Sequence, residues 1–428
     1  MISAALTRRN QAKLRLITAI SLALSSFSAY TCVYAFRKPF TVASFPGVVV
    51  GPVSYLAILV IAQVVGYMLS KFSGITLVSG MQRSRRKWYA VGIVGAAWFS
   101  LFLFAIVPWW AGIACFMLNG YLLGFMWGVI FSYVEGRRET DFTGTVMAVS
   151  FIFAGGFTRS VAIWTQDRLQ LPDHWLPFAV GTMFLIPYLF CVYWLEHLPP
   201  PLAEDEQDRR PREAMGVEDR RQVIRQIGRG LLTVTVAYIL LTIMRDTRDN
   251  FMTQMWRELG YGSKPGVLTQ VETMIAVLVL SAMSLFVFVR GNFRALQYLH
   301  VLIMTGFLLV FLSSLLFRQN WISGSYWMIC TGLGLYLAYI PFNCIFFERL
   351  IAAFRLRSNA GFLMYTTDAC GYLGSVAVLL WKEIGNPDVR WADFFSRHAM
   401  LFGVCGIIAV AVSLVWFNRR YHDTYRFN

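Results

Sequence analysis

The chain has 428 residues, 57% of them hydrophobic and only 14% charged, where a typical soluble domain carries roughly 25% charged residues. That balance excludes a soluble globular protein, which needs more polar surface to stay dispersed. A formal net charge of +15 would suit a nucleic-acid binder, but the basic residues sit in short clusters between long apolar runs, as in the loops on one side of a membrane protein, and no nucleic-acid partner is expected.

In chain order, the apolar runs predict spans near 15–36, 53–73, 88–108, 112–134, 143–163, 176–195, 231–251, 268–289, 296–316, 323–347, 359–381 and 398–417. Each is about 20 residues, the length that crosses ~30 Å of hydrocarbon at ~1.5 Å per residue. Lipid offers the backbone no hydrogen bonds, so the spans must be helices. The fold class is therefore an all-α polytopic membrane protein of twelve transmembrane helices, with the bilayer as its surroundings. Arg8, Arg9 and Lys13 precede the first run as they would in a signal peptide. The run is too long for one and lacks a convincing small-residue cleavage site, so it reads as an uncleaved first helix.

Assigning alternate loops to opposite sides places 25 of the 38 lysines and arginines on one side and 8 on the other, with 5 within or at the edge of spans. This bias predicts that both termini are cytoplasmic, in what is expected to be a bacterial inner membrane. The longest loop, 196–230, is polar and of mixed charge. It reads as a solvated cytoplasmic linker between a six-helix half at 1–195 and another at 231–428. Two such halves suggest rocking about a site near the midplane, in a chain that acts as a monomer.

Nothing here resembles a catalytic domain. The seven cysteines (32, 115, 191, 330, 344, 370 and 405) fall in apolar segments without metal-ligand spacing. The histidines at 174, 197, 300, 398 and 422 read as loop or span-end residues. No phosphate-binding loop or nucleophile–base constellation is present, so neither an enzyme nor a cofactor or metal is expected.

The informative residues are charges where charge is costly, at roughly 2.5–3.5 kcal/mol each at a helix centre. Arg245 and Arg248 lie deep in the seventh span, Arg159 well inside the fifth and Asp368 mid-span in the eleventh. Such residues line a cavity or pair within the bundle. Arg37 and Lys71 follow long apolar runs, which fits snorkelling to an interface as well as a site. Tyr30, Tyr34 and Arg37 are spaced by four and three, and Tyr67 and Lys71 by four, so each set shares a helix face. A phenol beside a cation can orient an anion. Asp246, Asp249, Glu272 and Asp368 lie at comparable depth, so internal ion pairs compete with an anion site for these cations.

These residues resemble motifs of the organophosphate:phosphate antiporters of the major facilitator superfamily. The first span's AYTCVYAFRKPF is similar to that family's Y-x3-Y-x2-R-K-x-F at Tyr30, Tyr34, Arg37, Lys38 and Phe40. GYMLSKF in the second matches at Tyr67, Ser70, Lys71 and Phe72, LAYIP in the tenth at Tyr339 and Pro341, and GYLGS in the eleventh at Tyr372. In the seventh, Arg245 and Arg248 both precede Asp249, and either can be the counterpart of the family's arginine. Glu272 looks like its membrane-embedded glutamate. The matches cover patches of about five helices. The resemblance implies a major facilitator fold in which Arg37 and one seventh-span arginine grip a phosphate, assisted by Lys71 and the tyrosines. The chain departs from the pattern in carrying Phe153 where the family has a fifth-span histidine, in its extra Arg159 and Asp368, and in a loop after Lys71 that lacks the common D-R-x-[SG] core.

The resulting expectation is a secondary transporter of a small organic anion, phosphorylated by the resemblance, working by alternating access. Two alternatives stand beside it: a proton-coupled symporter of another polar solute with Asp368 or Glu272 as carrier, and a non-transporting sensor of the same fold. Asp368 is expected to pair with Arg245, Arg248 or Arg159.

Overall fold

A computed structural model of the chain describes residues 2–46, 48–50, 53–79, 83–134, 140–200, 217–262, 265–356, 358, 360–385 and 389–425. Among these, twelve helices are long and apolar enough to cross a membrane. They are Leu14–Ala35, Tyr55–Gly74, Arg86–Ile106, Trp109–Val134, Phe142–Leu169, Leu176–His197, Arg221–Asn250, Gly266–Ser284, Asn292–Arg318, Gly324–Cys344, Gly361–Gly385 and Trp391–Thr424. Each overlaps one predicted span. An even number of crossings puts both termini at one end of the bundle. On the outer faces of the sixth and twelfth spans, Ile186, Phe190, Leu401, Ile408 and Val412 are exposed. Apolar surface of that extent marks a lipid-facing side.

Hydropathy misplaces one boundary in an instructive way. The seventh span belongs to a helix that begins at Val217, fourteen residues before the predicted start at 231. Residues 201–216 of the expected linker lie outside the described residues, but 217–230 are helical rather than loop. Val223, Ile227 and Val234 recur on one face and are buried. Gly230 lies so close to the twelfth span that a Cβ there would be 2.3 Å from the Trp416 ring. Glu218 and Asp219 in the first turn complement the helix dipole. A narrow apolar stripe thus extends the helix into sequence that is polar on average.

The fourth span is two helices, Trp109–Leu123 and Met126–Val134, separated at Gly124 and Phe125. Its face toward the second span carries glycine at two points of close approach. A Cβ on Gly120 would lie 2.0 Å from the Gln63 carbonyl oxygen, and one on Gly124 1.7 Å from Ser70 Oγ. This close small-residue contact is how helices gain packing where no hydrophobic effect drives them together.

Within the first six spans the second packs on the fourth, the first on the fifth and sixth, and the third on the fourth and sixth. Within the last six the ninth packs on the tenth and twelfth, and the seventh on the eleventh and twelfth. The two sets meet where the fifth span lies against the eighth and the second against the eleventh. His300 is a further departure from expectation: it is buried inside the ninth span, with Nδ1 against the Leu296 carbonyl and Nε2 3.0 Å from Ser413 Oγ on the twelfth.

Candidate functional site

The first helix ends at Ala35, four residues before Pro39, whose nitrogen cannot donate to the Ala35 carbonyl as a continuing helix would require. A tight turn follows, in which the Arg37 and Lys38 amides both donate to the Tyr34 carbonyl. The carbonyls of Phe36 and Arg37 would be orphans of the helix end. Buried amides from neighbouring spans satisfy them: Asn119 Nδ2 donates to Phe36 O at 3.3 Å, and Gln63 Nε2 to Arg37 O at 3.1 Å. Gln63 also donates to Asn119 Oδ1 at 2.9 Å, which locks the pair.

That turn sends consecutive cations in opposite directions. The Arg37 guanidinium lies over Tyr67, 4.3 Å from the ring centroid, and beside Tyr34 at 5.8 Å. It is 5% exposed, and no carboxylate among the described residues forms an ion pair with it. Two phenol faces lie against its charge. Lys38 turns toward the end of the bundle opposite the termini and meets Asp249 Oδ2 at 2.5 Å and Asn250 Oδ1 at 2.7 Å.

Across from Arg37, the seventh span supplies Arg245. Its Nη1 donates to the Tyr339 hydroxyl at 2.8 Å, and its Nη2 to the Tyr372 hydroxyl at 3.0 Å and to Asp246 Oδ1 at 2.6 Å. On the terminal side of these residues, Lys71 Nζ stands 3.3 Å from Asp368 Oδ2. The other Asp368 oxygen accepts a hydrogen bond from the Tyr238 hydroxyl, and that hydroxyl is 3.1 Å from Tyr339. Asp368 thus pairs with Lys71 and not, as expected, with Arg245, Arg248 or Arg159. The packing of the eleventh span on the second brings Lys71 nearest, while Arg245 pairs with Asp246 on its own span, Arg248 with Glu272 on the eighth and Arg159 with Asp249 on the seventh.

Tyr34, Arg37, Tyr67, Lys71, Trp127 and Phe151 from the first six spans, and Arg245, Tyr339, Asn343, Asp368 and Tyr372 from the last six, surround one narrow cavity. Its empty space, counted out to the mouth, is about 280 Å³. It is narrow because its walls touch: besides the Lys71–Asp368 contact, the Tyr67 and Tyr372 rings approach to 4.9 Å.

Five residues expected at the site lie elsewhere. Arg159 is fully buried toward the end opposite the termini, bonded to Asp249 Oδ1 at 3.0 Å, Thr41 Oγ1 at 3.0 Å and the Gly155 carbonyl at 2.8 Å. Asp249 therefore receives Lys38 and Arg159 together and does not reach the cavity. Arg248 faces sideways to Glu272 at 2.7 Å and to the Met328 carbonyl at 3.2 Å, a closed pair that removes both from the lining. Tyr30 stands one layer back, its ring against Tyr34, Trp127 and Phe151. In the fifth span Phe151 faces the cavity, whereas Phe153 packs against Phe27 and Phe157.

The reading of the sequence did not single out Lys38 as an embedded charge, nor Tyr238, Asn343, Gln63 or Asn119. Tyr238 lies seven residues before Arg245 and Asn343 four after Tyr339, spacings that keep each on its neighbour's face. Apart from the adjacent Lys382–Glu383 pair near the end of the eleventh span, and counting Lys38, six embedded cations face four carboxylates among the described residues. Glu272, Asp246 and Asp368 each take one cation and Asp249 takes two. Arg37 is left over, and it lines the cavity.

The same arrangement of helices occurs in solved transporters. The nucleoside transporter NupG matches over 94% of this chain and 99% of its own, with a TM-score of 0.59 at 13% identity. The peptide transporter POT, crystallised as a mutant in complex with sulfate, matches over 95% of each chain, with a TM-score of 0.61 at 14% identity. None of the curated proteins matches the sequence. The chain is thus an integral membrane protein with the all-α, twelve-helix major facilitator fold. It belongs to the family described as a family of unknown function (DUF5690), which it matches over residues 39–420.

Proposed function

We propose that the protein is a secondary transporter of a small organic anion carrying a phosphate group, which it moves by alternating access as a monomer. The observation that carries this reading is Arg37: a buried guanidinium that lines the cavity without a carboxylate partner among the described residues. Arg245 and Lys71 line the same cavity, so a bound anion would meet three cations and one carboxylate. A planar guanidinium matches two phosphate oxygens at once, and in a water-poor site that match is stronger than in solution. The tyrosine hydroxyls add donors for the remaining oxygens. The similarity of the motifs around Arg37, Lys71, Tyr339 and Tyr372 to those of organophosphate:phosphate antiporters supports a phosphate over a carboxylate, and exchange over one-way movement. The charge bias of the loops supports a bacterial inner membrane with both termini cytoplasmic.

The test is thermal unfolding of the purified protein with phosphate, phosphate monoesters, phosphonates and carboxylates. A ligand at ~100 times its Kd stabilises by about 2.7 kcal/mol. Phosphate compounds are expected to raise the melting temperature, and carboxylates of the same size to raise it less. Stabilisation by neutral solutes alone would overturn the anion reading.

A further inference from the structure

We propose that Asp368 takes up a proton when an anion binds, so that the site binds anion and proton together. This rests on the anion site proposed above. Asp368 is the one carboxylate among the described residues that line the cavity. Its side chain keeps 13% of its surface exposed while its partner Lys71 keeps 3%. The groups around it are Lys71 and Tyr67 on the second span, Tyr238 and Arg245 on the seventh and Tyr339 on the tenth. On its own span, Tyr365 stacks on Lys71 and Tyr372 lies one turn on.

Lys71 is the only cation in direct contact with this carboxylate among the described residues, and it is also one of the three cations an anion would use. An entering anion draws the ammonium from Asp368 Oδ2 and brings a second negative charge beside it. Both changes disfavour the ionised carboxylate. A proton from the cavity mouth then bonds to the freed oxygen, giving a neutral acid, while Lys71 keeps its own proton and faces the anion. The Tyr238 hydroxyl suits either form, donating to the carboxylate and accepting from the acid. Departure of the anion returns Lys71 to Asp368 and the proton to water. Asp249 and Glu272 would not respond in this way, because they hold cations outside the cavity lining, and Asp246, though it holds Arg245, is itself buried outside the lining and away from a proton at the mouth.

The experiment is calorimetric titration of the purified protein with sulfate, an anion without a titratable proton near neutrality, in two buffers of different ionisation enthalpy. The wild type is expected to take up about one proton per sulfate, and its binding should weaken by up to about tenfold per pH unit as pH rises. The Asp368→Asn variant is expected to bind without proton uptake and without that pH dependence. As a second measurement, infrared difference spectra should gain the carbonyl stretch of a protonated carboxyl when sulfate is added, and this band should move in Asp368→Glu. Sulfate binding to the wild type with no proton uptake, uptake that persists in Asp368→Asn, or a carbonyl band unmoved in Asp368→Glu would overturn the proposal while leaving the anion site intact. Failure of sulfate, phosphate and phosphate monoesters to bind at all would instead overturn the reading on which it rests.

Discussion

Asp249 and Arg37 occupy opposite positions in the embedded charge balance. Asp249 receives both Lys38, from the turn after the first span, and Arg159, from the fifth, whereas Arg37 receives no carboxylate among the described residues. Replacing Asp249 with Asn would leave two buried cations without their charge partner, and breaking such a pair costs roughly 3–5 kcal/mol. The expected outcome is a clear drop in the melting temperature of Asp249→Asn in detergent, larger than the drop for Asp393→Asn, whose pairs with Arg318 and Arg397 are half exposed. Equal melting temperatures would show that the clamp around Asp249 does not form. The sequence revealed that Arg159, Arg245, Arg248 and Asp368 are deep, because depth is counted along one helix. It did not reveal their partners, because pairing depends on the rotation of each helix and on which neighbour it packs against. Depth alone pairs Asp368 with the arginines, yet the packing of its span on the second hands it to Lys71.

Hydropathy located all twelve helices because the demand on each is local: an apolar run long enough to cross, with its own backbone bonds satisfied. It fails where a helix is stabilised by one face only. Residues 217–230 average polar, but the stripe through Val223 and Ile227 packs them against the twelfth span. The break in the fourth span was hidden for a related reason. Gly120 and Gly124 read as ordinary small residues, and only the approach of Gln63 and Ser70 gives them a role. Gln63 and Asn119 were equally silent, being uncharged and single, although together they fix the turn that aims Arg37. Around the cavity, the cations and tyrosines that fell into the family's motifs were legible, while the polar residues that support them were not.

Taken as a whole, the molecule carries contacts between its two sets of six spans above and below the cavity. Opposite the termini, Lys38 and Arg159 meet Asp249, Gln254 Nε2 donates to the Thr41 carbonyl at 3.3 Å, and Arg257 Nη2 donates to the Val42 carbonyl at 3.1 Å. On the terminal side Lys71 meets Asp368. Alternating access requires these two sets of contacts to break in turn, and an anion competing for Lys71 supplies a reason for one of them to open. The loop charges predict which side is which. Reporter fusions placed after Arg229 and after Asn428 should both read as cytoplasmic, and an external signal from either would reverse the orientation.

Exchange in proteoliposomes tests whether Arg37 receives the anion. Vesicles loaded with phosphate should take up labelled phosphate or a labelled phosphate monoester saturably, and empty vesicles should take up much less. Arg37→Lys retains the charge but loses the planar pair of donors, so exchange should fall at least about tenfold while the melting temperature without ligand stays close to that of the wild type. Exchange in Arg37→Lys at the wild-type rate, or uptake by the wild type that no phosphate compound drives or inhibits, would contradict the account.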